Sequence, residues 1–173
     1  MAGLVPAMSP FGFTMHIRPA TPDDADALWR ILEPAIRAGE TYALPRDMTE
    51  AEALAYWLSP AHEVFVSLID GVVAGTYYLR ANQQGGGAHV ANCGYVTAVA
   101  FSGRGVARAM CEHSLALAVA RGFAAMQFNL VVSTNARAVQ LWQSLGFEIA
   151  GRLPRAFDHP QLGPVDAYVM FRD

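Results

Sequence analysis

The sequence predicts a single α+β domain on a mixed sheet of seven strands with four helices, and three observations carry that expectation. Its 173 residues suit one domain with a real core. Apolar residues make up 53% and charged residues 16%, a balance that excludes disorder. The element order reads βααβββαβαββ without internal repeat, so a hairpin-built antiparallel half precedes a strand, helix, strand unit that makes one pair parallel.

Residues 1–14 carry no basic residue ahead of an apolar stretch and are broken by Pro6 and Pro10. They read as a disordered tail rather than a signal peptide, with Met15 a candidate natural start and the domain over 15–173. Residues 16–18 form a short strand, and Thr21-Pro22-Asp23-Asp24 supplies an N-cap, a first-position proline and first-turn acids. Leu28, Trp29, Ile31, Leu32 and Ile36 then give an amphipathic helix that ends near Gly39. Thr49-Glu50-Ala51-Glu52 is a capping box opening a second helix to about Leu58, after a loop at 40–45 too apolar to be simple surface. Strands over 63–69 and 72–79 flank Asp70-Gly71, a strong hairpin signal. After Gly85-Gly86-Gly87, read as a mobile linker, come a strand over 89–99, a helix over 105–121, a strand over 125–132 and a helix over 135–145. Strands over 147–153 and 165–171 complete the set.

Net charge is -3, which argues against a broad nucleic-acid-binding face. Its distribution is uneven: residues 1–87 hold five arginines against ten carboxylates, and residues 88–173 seven against five, so a small anion belongs with the C-terminal half. No 18-residue apolar run is free of charges or helix breakers, which argues against a membrane span. Cys93 and Cys111 lie in apolar periodic segments, as free thiols do in a reducing compartment, and the cytoplasm is the expected location. Dispersed His and Cys residues lack ligand spacing, so no metal is expected.

Chemistry concentrates at Ser102-Gly103-Arg104-Gly105-Val106-Ala107, between a buried strand and a helix. Glycines leave backbone amides uncovered there, and the first helical turn adds unpaired N–H groups and the positive dipole end, a pyrophosphate site. The run lacks the Gly-Lys-Ser/Thr of a Walker loop and the third glycine of a dinucleotide fingerprint, and taken alone it is equally a tight turn. A second pattern follows the next strand: Asn135-x-x-Ala138-x-x-Leu141-Trp142-x-x-x-Gly146-Phe147.

Together the two runs resemble the nucleotide-binding core of the GCN5-related N-acetyltransferases, closely over 97–147. The resemblance implies a splayed sheet, with acetyl-CoA as cosubstrate. It implies that the backbone of Thr97, Ala98 and Val99 pairs with the pantetheine arm, that 103–107 hold the pyrophosphate, and that Asn135 hydrogen-bonds near that arm, with Ala138 and Trp142 in the same motif. Two residues depart from the family pattern. Ser102 replaces the usual Gln or Arg, leaving Arg104 or Arg108 for the phosphates, and Trp142 replaces a tyrosine that in many relatives protonates the leaving thiolate. An indole N–H is no useful acid at neutral pH. The loop Gly39-Glu40-Thr41-Tyr42, with the acidic helix and Trp57 behind it, loosely resembles the phosphinothricin and amino-acid acetyltransferase branch, which makes Glu40, Thr41 and Tyr42 substrate candidates. In that branch a carboxylate often stands where Asn92 aligns; Asn92 positions water but takes no proton.

The missing base bears on substrate. Deprotonating a lysine-type amine of pKa ~10.4 at pH 7 costs roughly 4.6 kcal/mol, against about 1.4 kcal/mol for an α-amine near ~8. Proximity alone can supply up to ~7 to 11 kcal/mol, so weak acid-base machinery does not exclude catalysis. The expected reaction is therefore direct acetyl transfer to a small primary amine, the α-amino group of an amino acid or analogue, with water relaying protons past Asn92 or His89. His89 is equally read as an exposed rim residue, Asn129 as a strand tie or a site residue, and Glu40 as a solvated loop acid. Cys111 reads as packing. The partner is a small-molecule amine, with neither nucleic acid nor membrane, and a homodimer is compatible with the sequence. A non-catalytic acyl-CoA sensor and a protein N-terminal or lysine acetyltransferase are the alternatives.

Overall fold

The computed structural model describes residues 7, 8, 12 and 14–173. Its elements run β1 (Ala7–Met8), β2 (Thr14–Pro19), α1 (Ala25–Ala38), α2 (Glu50–Trp57), β3 (Glu63–Ile69), β4 (Val72–Ala81), β5 (Val90–Thr97), α3 (Val106–Ala120), β6 (Ala125–Val132), α4 (Ala136–Ser144), β7 (Glu148–His159) and β8 (Gly163–Arg172). The sheet order is β1-β2-β3-β4-β5-β6-β8-β7. The seven expected strands are β2 to β8, and β5 with β6 is the parallel pair. The expected disordered tail falls mostly outside the described residues; of the tail, Ala7 and Met8 pair antiparallel with Met15 and Thr14.

Period-two alternation sends side chains to two separate cores. On one face Val64, Val66, Tyr78 and Val96 pack against Leu28, Ile31, Leu32 and Ile36 of α1 and Ala53 and Trp57 of α2. A buried chain pins α2 there: Trp57 Nε1 donates to Thr76 Oγ1 at 3.0 Å, and that hydroxyl donates to Phe65 C=O at 2.8 Å. On the other face Phe65, Tyr77, Leu79 and Cys93 meet Met110 and Cys111 of α3 and Trp142 of α4.

Three boundaries differ from expectation. β5 stops at Thr97, because Ala98 N–H turns to Ala74 C=O at 2.8 Å and a 3-10 turn, Val99–Phe101, follows. The glycine run at 85–87 is a single 3-10 turn, with Gly87 N–H donating to Gln84 C=O at 3.1 Å. β7 continues to His159 across a register shift between Leu153 and Phe157.

The parallel pair positions the site. β5 and β6 pair only where Val90 and Ala91 face Ala125 and Met126. At the next position the Asn92 side chain takes over, Nδ2 donating to Gln127 C=O at 2.9 Å, and beyond it the strands part. β6 stays anchored to β8 through a register shift between Phe128 and Val131.

Candidate active site

A cavity of about 810 Å³ occupies the opening between β5 and β6, within the usual range for a small-molecule site. It has two lobes, one beside the N-termini of α3 and α4, the other beneath α2 and the 41–44 loop.

In the first lobe Gly103 and Gly105 adopt left-handed φ of 76° and 80°, which turns the chain from the 3-10 segment into α3. The first bond of α3 runs from Ala109 N–H to Gly105 C=O, so the amides of Val106, Ala107 and Arg108 have no helical acceptor. These unpartnered amides, at the positive end of the helix and on the cavity lining, suit an anion. Ser102 also lines this lobe. Of the two arginines expected at the phosphates, Arg108 lines the cavity, with its guanidinium held by Ser144 Oγ at 2.8 Å. Arg104 does not: it is exposed and lies 5.3 Å over the Phe101 ring. Arg137, missed in the sequence, lines the lobe from the first turn of α4. Its signal was available, a cation two residues after a capping asparagine.

Asn135 caps α4, its side chain accepting from Ala138 N–H at 3.4 Å, and both residues face the cavity. Trp142 is buried between Tyr95 and Phe128, with ring centroids 5.1 and 5.2 Å away, and only an edge reaches the opening. Packing explains its presence where a phenol was expected. Only part of the segment expected to pair with pantetheine borders the cavity. Thr97 lines the cavity, but Ala98 spends its N–H on Ala74 and neither Ala98 nor Val99 is on the lining; the strand edge left unpaired by the splay lies at 92–97.

The second lobe is built from Asn92, Gly94, Tyr78, Arg80, Tyr56 and Tyr42. Gly94 is required here, since a Cβ would sit 2.6 Å from the Tyr78 ring. That ring is stacked on His62 at 4.0 Å and set edge-on to Trp57 at 4.9 Å. Tyr42 lines the lobe, its hydroxyl donating to Tyr95 C=O at 2.8 Å, with Thr41 beside it on the lining. Burial holds the Tyr42 and Tyr78 phenols well above the ordinary range, so both stay neutral donors. Asn129 satisfies both of its readings: Nδ2 donates to Asn82 Oδ1 at 2.7 Å, Oδ1 accepts from Gln127 Nε2 at 2.9 Å, and the residue lines the cavity.

Two candidates fall outside. His89 is exposed and absent from the lining, because its place at the start of β5 precedes the splay; Glu40 is exposed and off the lining next to Thr41. Among the described residues the lining contains no Asp, Glu or His. Burial pushes the Cys93 thiol up to about 12 and that of Cys111 to about 11, so neither is a nucleophile at neutral pH. Among the described residues no group of three His, Cys, Asp or Glu gathers to hold a metal ion, and no helix is long and apolar enough to cross a membrane.

A sheet opened at its parallel strand pair, with a glycine-turned helix N-terminus on one side of the opening and an aromatic-lined lobe on the other, has the layout of a two-substrate transferase. The chain belongs to the acetyltransferase (GNAT) family, whose model matches residues 25–147, and is an acetyl-CoA-dependent N-acetyltransferase. It is similar to a GCN5-related N-acetyltransferase structure from Kribbella flavida, with 41% identity, a TM-score of 0.87, and coverage of 91% of this chain and 96% of that one. It is also similar to N-acetyltransferase aca1 of Schizosaccharomyces pombe, 29% identical over 153 aligned positions, with coverage of 78% of this chain and 72% of the relative. A phosphinothricin acetyltransferase from Sinorhizobium meliloti, solved with AcCoA, shares the fold at 19% identity and a TM-score of 0.80, covering 91% of this chain and 87% of that one.

Proposed function

We propose that this acetyltransferase acts on a small primary amine, the α-amino group of an amino acid or a close analogue. The single observation that carries the reading is the aromatic lining of the second lobe: Tyr42, bonded to Tyr95 C=O, stands with Tyr56 and Tyr78 around a space suited to a small molecule. Acetyl-CoA supplies the activated acetyl group. The free amides at the start of α3, with Arg108 and Arg137, hold its phosphates. The unpaired edge of β5 offers backbone N–H groups to the thioester end and to the oxyanion as the amine nitrogen bonds to the carbonyl carbon and the C–S bond breaks, with CoA leaving as a thiolate that takes its proton from water. Asn92, with Nδ2 committed to Gln127, presents Oδ1 to the amine or to the water that removes its proton. With no base on the lining, the reaction draws on the free-amine fraction, which favours an α-amine over a lysine-like one. The buried free thiols support a reducing, cytoplasmic setting.

The test is thiol release from acetyl-CoA across a panel of amino acids, simple amines and peptides. Turnover of free amino acids is expected. Turnover of peptides alone would overturn the reading, and tight acetyl-CoA binding with no turnover would favour a sensor.

A further inference from the structure

We infer that Arg80 is the specificity-determining residue of the acceptor lobe and binds the carboxylate of the acceptor, making the substrate an α-amino acid with a free carboxylate. The inference rests on the function proposed above and names the chemistry by which that site selects.

Arg80 stands at the end of β4, in register with Asn92 of β5. Its Nε is buried without a hydrogen-bond partner, which a native protein seldom tolerates unless something else supplies the acceptor. Among the described residues no carboxylate forms an ion pair with it, although Arg18, Arg37, Arg108, Arg121 and Arg152 each have one. The cavity lining offers no Asp or Glu, and its other two cations, Arg108 and Arg137, belong to the lobe at the helix N-termini. His62 adds no negative charge; burial, helped by the charge of Arg80, holds its imidazole below the ordinary histidine range. The acceptor end thus carries one uncompensated guanidinium, a planar fork that matches a carboxylate bidentately.

The same placement suits an α-amino acid. Arg80 and Asn92 are register partners on antiparallel strands, whose Cα atoms stand about 4.5 to 5.5 Å apart, and both line the lobe. One small molecule that carries an amine and a carboxylate can therefore address both residues.

The experiment measures calorimetric binding of the proteinogenic L-amino acids and their carboxamides to the CoA-bound protein, for wild type, Arg80→Gln and Arg80→Lys, beside acetyl transfer to the same compounds. In the wild type at least one amino acid should bind at least tenfold more tightly than its amide. Arg80→Gln should erase that ratio, and Arg80→Lys should restore only part of it, while calorimetric affinity for CoA reports that the variants are folded. Acetylation of amino acids and amides with equal efficiency, or discrimination that survives in Arg80→Gln, overturns the role of Arg80 and leaves the proposed function standing. Arg80-dependent carboxylate binding without acetyl transfer does the reverse. Failure of every carboxylate in the panel to bind also overturns it.

Discussion

Asn135 faces two demands with one side chain. Oδ1 is committed to the helix cap, and Nδ2 is left for the cavity. Asn135→Ala should therefore lose both, costing about 1 kcal/mol of stability with a melting temperature lower by about 2 to 4 °C, together with a raised KM for acetyl-CoA. Asn135→Asp separates them: the cap survives, the donor disappears, and a negative charge enters a lobe that holds phosphates. A near-wild-type melting temperature with a KM raised severalfold is expected; an unchanged KM would show that the residue serves only the helix. Gly105 poses a simpler question. Its φ of 80° penalises any side chain, and a change of backbone there would disturb the turn that presents the α3 amides. Gly105→Val should weaken calorimetric CoA affinity at least tenfold, and unaltered affinity would remove the loop from the cofactor site.

Much of the element layout was legible, because period-two and 3.6-residue patterns report which face each segment buries. The Asp70-Gly71 hairpin, the Thr49 capping box and the Gly103 to Gly105 run that opens α3 are where their turn chemistry puts them. What stayed hidden depends on pairs distant in sequence. Nothing local marks Asn92 as the side chain that ends the β5–β6 ladder, or Gly94 as the residue that makes room for Tyr78. The acceptor lobe was misread for the same reason: Glu40 and His89 carry chemistry, but Arg80, placed by strand register, reaches the cavity. Gly75 shows how one such pair sets an element. A Cβ there would lie 2.8 Å from Val106 Cγ1 and 3.0 Å from Met110 Cε. Met110 can swing aside, but β-branched Val106 cannot, and it opens α3. Gly75→Ala should cost about 1 to 3 kcal/mol by denaturant unfolding and should also raise the KM for acetyl-CoA, because α3 carries the phosphate-facing amides with it. A stability loss without any change in KM would mean that α3 yields elsewhere along its length.

Across the whole molecule, the layer of α1 and α2 that roofs the acceptor lobe is fastened to the sheet at its leading edge by one charged knot. Asp24, just before α1, accepts from Arg18 at 2.7 and 2.9 Å and from Thr21 N–H at 2.7 Å, and its side chain is 7% exposed. These bonds, the Arg18 guanidinium foremost, hold its carboxyl down to about 2 from 3.8. Because the folded value lies below the unfolded one, the carboxylate's contribution is fully present above about pH 4 and is lost as pH falls through about 2. The shift corresponds to at most about 2 kcal/mol, reduced by solvent and salt at Arg18, whose side chain is a third exposed. Asp24→Asn keeps the shape and removes the charge. Denaturant unfolding should find the variant less stable than wild type by about 1 to 2 kcal/mol at pH 7, with the gap narrowing between pH 4 and pH 2 and flatter above. A gap that stays constant down to pH 2 would mean that the knot acts through shape and hydrogen bonding alone. A gap that narrows in high salt at pH 7 is expected on the same grounds, since the guanidinium end of the pair is open to solvent.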